Sequence, residues 1–78
     1  MMTKAGLANH LIRSGWDLVS VGDKFLRLSR ENYIEHMGDV YATQDTIALA
    51  KQTLGDEQVK VVRFKHYQQE RIELTLTM

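Results

Sequence analysis

Three histidines, His10, His36 and His66, are the side chains best suited to acid–base or metal chemistry, and they stand far apart along the chain. Zinc sites draw on ligands paired a few residues apart, often with cysteine among them. This sequence has no such pair and no cysteine, so neither metal nor cofactor is expected. Glu31, Glu35 and Asp39 recur at intervals of four, which would align them along one stripe if the segment were helical. Glycosidase-type chemistry needs two carboxyls across a substrate cleft, and 78 residues leave little chain for a cleft beside a core. Ser14, Ser20 and Ser29 lack the G-x-S-x-G context of an activated nucleophile. Gly6, Gly15, Gly22, Gly38 and Gly55 are isolated, so no phosphate-binding loop is present. The expectation is a protein without catalytic residues.

Charge is the second informative property. Ten basic residues balance ten acidic ones, but residues 1–30 sum to +3, residues 31–57 to −5 and residues 58–78 to +2. A balanced chain lacks the summed positive potential of a nonspecific nucleic-acid binder. The acidic middle, with Glu31, Glu35 and Asp39 at its start, is the first candidate for a surface that docks on a protein partner. The competing candidate is a nucleic-acid face built from Arg27, Arg30, Arg63, Lys65 and Arg71. It requires side chains from distant segments to converge, ideally with aromatic residues on which bases can stack. A continuous basic face would favour nucleic acid; interleaved signs would favour protein.

The elements that must position these groups are written in the hydrophobic pattern. Leu7, Ala8, Leu11 and Ile12 form an apolar stripe in a helix over residues 3–14, with Thr3 as N-cap and Gly15 at the left-handed stop. Trp16–Val21 and Lys24–Ser29 read as two strands around a Gly22-Asp23 turn, with glycine supplying a positive φ. Leu26 and Leu28 then face one way, and Phe25, Arg27 and Ser29 the other.

Residues 30–42 allow two readings. In the favoured one, Arg30-Glu31-Asn32 turns and Tyr33–Met37 adds a strand. In the other, Ser29 caps a short helix that presents Tyr33, Ile34 and Met37 and ends at Gly38. A second helix starts at Thr43 as N-cap and runs through Ile47, Ala50, Lys51 and Leu54 to Gly55. The β-branched and aromatic run Val59–Tyr67, followed by strict alternation of Ile72, Leu74 and Leu76 with polar residues, specifies a terminal β-hairpin.

The sum is one α+β domain over residues 1–78, two short helices on a mostly antiparallel sheet, in the order αββ(β)αββ. The expected core is Leu7, Leu11, Ile12, Leu18, Leu26, Leu28, Ile47, Leu54, Val62, Phe64, Leu74 and Leu76.

The run HLIRSGWDLVSVGDKFLRL, residues 10–28, resembles the start of HicA toxins, small αβββα mRNA interferases of double-stranded-RNA-binding shape. The shared pattern is a helix, Gly-Trp, a strand, a glycine turn and a second strand, over about a quarter of the chain. The family's catalytic histidine follows the turn glycine, where this chain has Lys24 and Phe25. The resemblance therefore implies a local shape, without the catalytic role.

A chain this short has a core worth no more than about 3–5 kcal/mol, which favours a partner or a homodimer. The N-terminal residues show no signal-peptide pattern and no segment reaches membrane-spanning length, so a cytoplasmic location is expected. The functional expectation is a non-enzymatic protein-binding module. Small regulators or inhibitors of larger complexes, such as the host-defence inhibitors carried by phages and mobile elements, have this character. The alternative is a small RNA- or DNA-binding domain of double-stranded-RNA-binding shape.

Overall fold

In the computed structural model, which describes residues 2–78, helix α1 (Lys4–Arg13) begins where Thr3 Oγ1 accepts the Gly6 N–H at 3.0 Å. It ends at Ser14 and Gly15, the latter at φ +104°, a conformation glycine adopts without steric cost. Strands β1 (Asp17–Val21) and β2 (Phe25–Tyr33) follow, then helix α2 (Met37–Leu54), one 3₁₀ turn at Asp56–Gln58, and strands β3 (Val59–His66) and β4 (Gln69–Thr77). The four strands form one antiparallel sheet in the order β1-β2-β4-β3, so the last strand in sequence lies inside the sheet.

The α+β class and the element order match the expectation, without the optional third strand before α2. No turn forms at Arg30–Asn32. Strand β2 continues to Tyr33, in unbroken register with β4 from Phe25↔Thr77 to Tyr33↔Gln69. A partner strand of equal length gives those residues ladder hydrogen bonds that a turn would forgo. Helix α2 accordingly begins at Met37 rather than at Thr43, and Gly38 lies inside it. His36 occupies the N-cap position without a side-chain cap bond, and Asp39 in the first turn faces the positive end of the dipole. Thr43 is an interior, buried residue of this helix.

One face of the sheet is covered. Leu28, Val59, Ile72, Leu74 and Leu76 pack with Leu7 and Leu11 of α1, Ile47 and Ala50 of α2, and Trp16. Leu26 and Leu54 flank this cluster, partly buried. Four expected core residues lie outside it. Ile12, Leu18 and Phe64 are exposed, and Val62 is half-buried. Val62 and Phe64 pair with Glu73 and Arg71, whereas Val59 and Val61 pair with Leu76 and Leu74. Opposed residues share a face and neighbours alternate, so Val62 and Phe64 point to the uncovered side. Leu18 lies on an edge strand, and α1 buries only its Leu7–Leu11 stripe.

Gly22 also departs from the expectation, since its φ is not positive. Its N–H donates to the Phe25 carbonyl at 2.9 Å. A Cβ there would fall inside the envelope of the Phe25 ring, so a larger residue would have to displace that exposed ring, and the glycine serves space rather than its dihedral.

The two faces should respond differently to truncation. Leu74→Ala is expected to cost about 2–5 kcal/mol, the range for emptying a buried leucine site. Phe64→Ala removes a larger side chain and should cost less than about 1 kcal/mol, as for surface substitutions. Urea midpoints compared at equal slope measure both.

Candidate interaction surface

A buried polar cluster locks the ends of the elements beneath the sheet. The Trp16 indole N–H donates to Thr46 Oγ1 at 2.9 Å, and that hydroxyl donates to the Ala42 or Thr43 carbonyl, each at 2.9 Å. Asn32 Nδ2 donates to Thr43 Oγ1 at 2.7 Å. The Arg30 guanidinium donates through Nε to Asn32 Oδ1 at 3.0 Å and through Nη1 to the Ser14 carbonyl, with Asp39 at 3.7 Å from Nη2. Among the described residues no buried side-chain nitrogen or oxygen lacks a hydrogen-bond partner. This cluster fixes the C-terminus of α1, the end of β2 and the first turns of α2 relative to one another.

It also disperses both sets of predicted site residues. Arg30 is buried within the cluster. The register places Arg27 and Arg71 on the uncovered face, while Arg63 and Lys65 share the other face with Ile72 and Glu70. The five basic residues do not converge. Of the acidic set, Glu31 lies on β2 opposite Arg71, Glu35 in the β2–α2 turn, and Asp39 on α2 between Arg30 and His36, at 3.7 and 3.6 Å. They do not form one helical stripe. Among the described residues no group of three His, Cys, Asp or Glu side chains is placed to hold a metal ion.

The uncovered face has a distinct composition. Its rows across the strands read Tyr33–Gln69–His66, then Glu31–Arg71–Phe64, then Asp17–Ser29–Glu73–Val62, then Arg27–Thr75–Lys60. Acidic and basic side chains interleave, with aromatic rings between them. Arg71 stacks over the Phe64 ring, 4.8 Å from its centroid, and reaches Glu73 at 3.4 Å. A shallow depression of about 280 Å³ opens beside this stack, lined by Glu31, Phe64, His66, Gln69, Glu70 and Arg71.

The face ends at the β3–β4 hairpin tip, where the chain is strained. Tyr67 is the only non-glycine among the described residues with positive φ, at +57°. Two-residue turns normally place Gly, Asn or Asp at such a position, and another residue there costs on the order of 1–2 kcal/mol. Tyr67 is nevertheless 86% exposed, with its ring edge-on to His66 at 4.5 Å. Together with Tyr33, His66, Gln68 and Gln69 it lines a second, open depression of about 510 Å³. The sequence pattern puts Tyr67 at the end of a strand, whereas the strand stops at His66 and Tyr67 forms the tip. The signal available was a tyrosine in a two-residue turn between two well-patterned strands.

No protein-family model matches this chain, and no match was found among curated proteins or solved structures. The HicA resemblance spans only residues 10–28, the end of α1 and the first hairpin. That family's αβββα order requires a third strand before the second helix, whereas here α2 follows β2 directly. No helix among the described residues is long and apolar enough to cross a membrane.

The two arginines of β2 should separate in a stability assay. Arg30→Ala removes a donor to Ser14 and Asn32 from a buried site and is expected to cost about 2–4 kcal/mol. Arg27→Ala, on the uncovered face, should stay within about 0.5 kcal/mol. Thermal or urea unfolding of both variants checks the difference.

Proposed function

We propose that this chain is a non-enzymatic protein-binding module whose contact surface is the uncovered sheet face together with the β3–β4 hairpin tip. The observation that carries the reading is Tyr67, a large exposed aromatic residue held in a conformation that a smaller residue would adopt more cheaply. Strain of this kind persists where the side chain serves function rather than folding. Tyrosine and arginine are also the residues that most often dominate protein interfaces. Here Tyr67, Tyr33 and Arg71 border one continuous surface that includes Phe64 and Glu31.

Interleaved charges favour a protein over a nucleic acid. A phosphate backbone is attracted by one sign over a long path, and on this face Glu31, Glu73 and Asp17 interrupt Arg71, Arg27 and Lys60. Glu31 remains part of the proposed surface, and exposed Glu35 lies near it in sequence, while Asp39 has a structural task beside Arg30. A small regulator or inhibitor of a larger assembly is the role that fits a chain of this size with such a surface.

The test separates binding from folding. Tyr67→Asn should raise stability by up to about 1 kcal/mol, because asparagine tolerates positive φ. The same substitution should abolish nuclease-resistant capture of a partner from the native host, identified by mass spectrometry. Capture that survives in Tyr67→Asn, or that disappears on nuclease treatment, would sink the proposal. Incubation with total RNA should give no cleavage; cleavage abolished by His10→Ala, His36→Ala or His66→Ala would show an enzyme instead.

A further inference from the structure

We propose that the free edge of β3 is a strand-addition site for an extended acidic segment of a protein partner; this deepens the protein-binding reading and rests on it. The strand order leaves two edges, β1 and β3. They differ in kind. Strand β1 has five residues, and its register with β2 shifts between Leu18 and Ser20, so it is short and irregular, two features that discourage pairing. Strand β3 pairs with β4 at all eight of its positions without a shift. The Val59 N–H donates to the Asp56 carbonyl, which closes the start of this edge; among the described residues, Lys60–His66 make no backbone hydrogen bond beyond their pairing with β4. Alternate residues from Lys60 to His66 therefore turn N–H and C=O groups outward along an edge of about 23 Å.

The charge along that edge selects the occupant. Strand β3 carries Lys60, Arg63 and Lys65 and no carboxylate. Arg63 is held by Glu70 at 2.6 Å, whereas Lys60 and Lys65 have no carboxylate within ion-pairing distance among the described residues. Lys60 shares the open face with Thr75, and Lys65 the opposite face with Glu70. A second copy laid edge to edge would bring both sets of Lys60, Arg63 and Lys65 along one seam, and like charges across strands are unfavourable. A strand with glutamates opposite these positions, and β-branched residues opposite Val61 and Val62, meets complementary charge on both its faces. It would also widen the proposed contact face by one strand, the backbone supplying affinity and the side chains selectivity.

The probe is a synthetic peptide, Thr-Glu-Thr-Glu-Val-Val-Glu-Val, whose antiparallel register sets its glutamates opposite Lys65, Arg63 and Lys60. It is titrated against the intact, unmodified chain, with amide exchange read in parallel. Binding is expected, with slowed exchange at alternate β3 amides. Lysine in place of each glutamate should weaken it by at least about tenfold, and the binding should weaken as salt is raised. N-methylation of every second peptide residue in one phase should weaken binding by at least about tenfold, and in the other phase should leave it nearly unchanged, since only one set faces β3.

Absence of binding, or equal loss from both N-methylated sets, overturns strand addition. A dimer in light scattering with the β3 amides already protected overturns it too, by making a second copy the occupant. Failure of the peptide while nuclease-resistant, Tyr67-dependent capture persists removes this inference alone and leaves the protein-binding reading standing.

Discussion

One buried guanidinium ties both helices to the strand beneath them. Arg30 reaches the carbonyl that ends α1, the first turn of α2 and the amide of Asn32 on its own strand, so a single side chain of β2 addresses both helices. A buried charge is tolerated only when its donors are used and an opposite charge is near. Here those partners are the segments that must be fixed for Trp16 to meet Thr46 and for Leu7 and Leu11 to lie over the sheet. Geometry and desolvation act in the same direction. The apolar core supplies the driving force, and the polar cluster determines how the helices sit upon it.

The same cluster explains what was and was not legible in the sequence. The terminal hairpin, the cap at Thr3 and the stop at Gly15 follow local rules and could be read directly. The start of α2 could not, because its signals are misleading taken alone. Thr43 is an ideal capping residue by type, yet it is used as a buried acceptor for Asn32. The residue at the true N-cap position, His36, makes no capping bond. A covered stripe of Thr43, Thr46, Ile47 and Ala50 is half polar, so hydrophobic periodicity could not reveal its first turn. Such polar positions become legible only when Trp16 and Asn32, distant in sequence, are seen to complete them.

The site was less legible than the fold. Charge tallies along the chain point to an acidic segment and a basic set, but strand register divides the basic set between two faces, and the acidic set is spread over β2, the following turn and α2. Cross-strand order, with β4 between β2 and β3, decides which charges become neighbours. It sets Glu31 beside Arg71 and Arg71 over Phe64. The aromatic residues divide similarly. Trp16 enters the core just before β1 and Tyr67 stands out at the hairpin turn, while Phe25, Tyr33 and Phe64 remain outside by parity within their strands rather than by residue type.

The inner position of β4 also has a consequence in time. The chain is made from its N-terminus, yet the strand that completes the ladder of β2 is the last to be made. Until residues 69–77 are available, β2 has no neighbour on one side and its Leu26 and Leu28 have no cross-strand partners in Leu76 and Leu74. Contacts so distant in sequence close slowly, because the intervening chain must first surrender its freedom. Before that point only the β1–β2 ribbon can lie beneath α1 and α2, and the core lacks Val59, Ile72, Leu74 and Leu76. The sheet, and with it the closed core, is complete only when the terminal hairpin is present, its two-residue turn setting β3 beside β4.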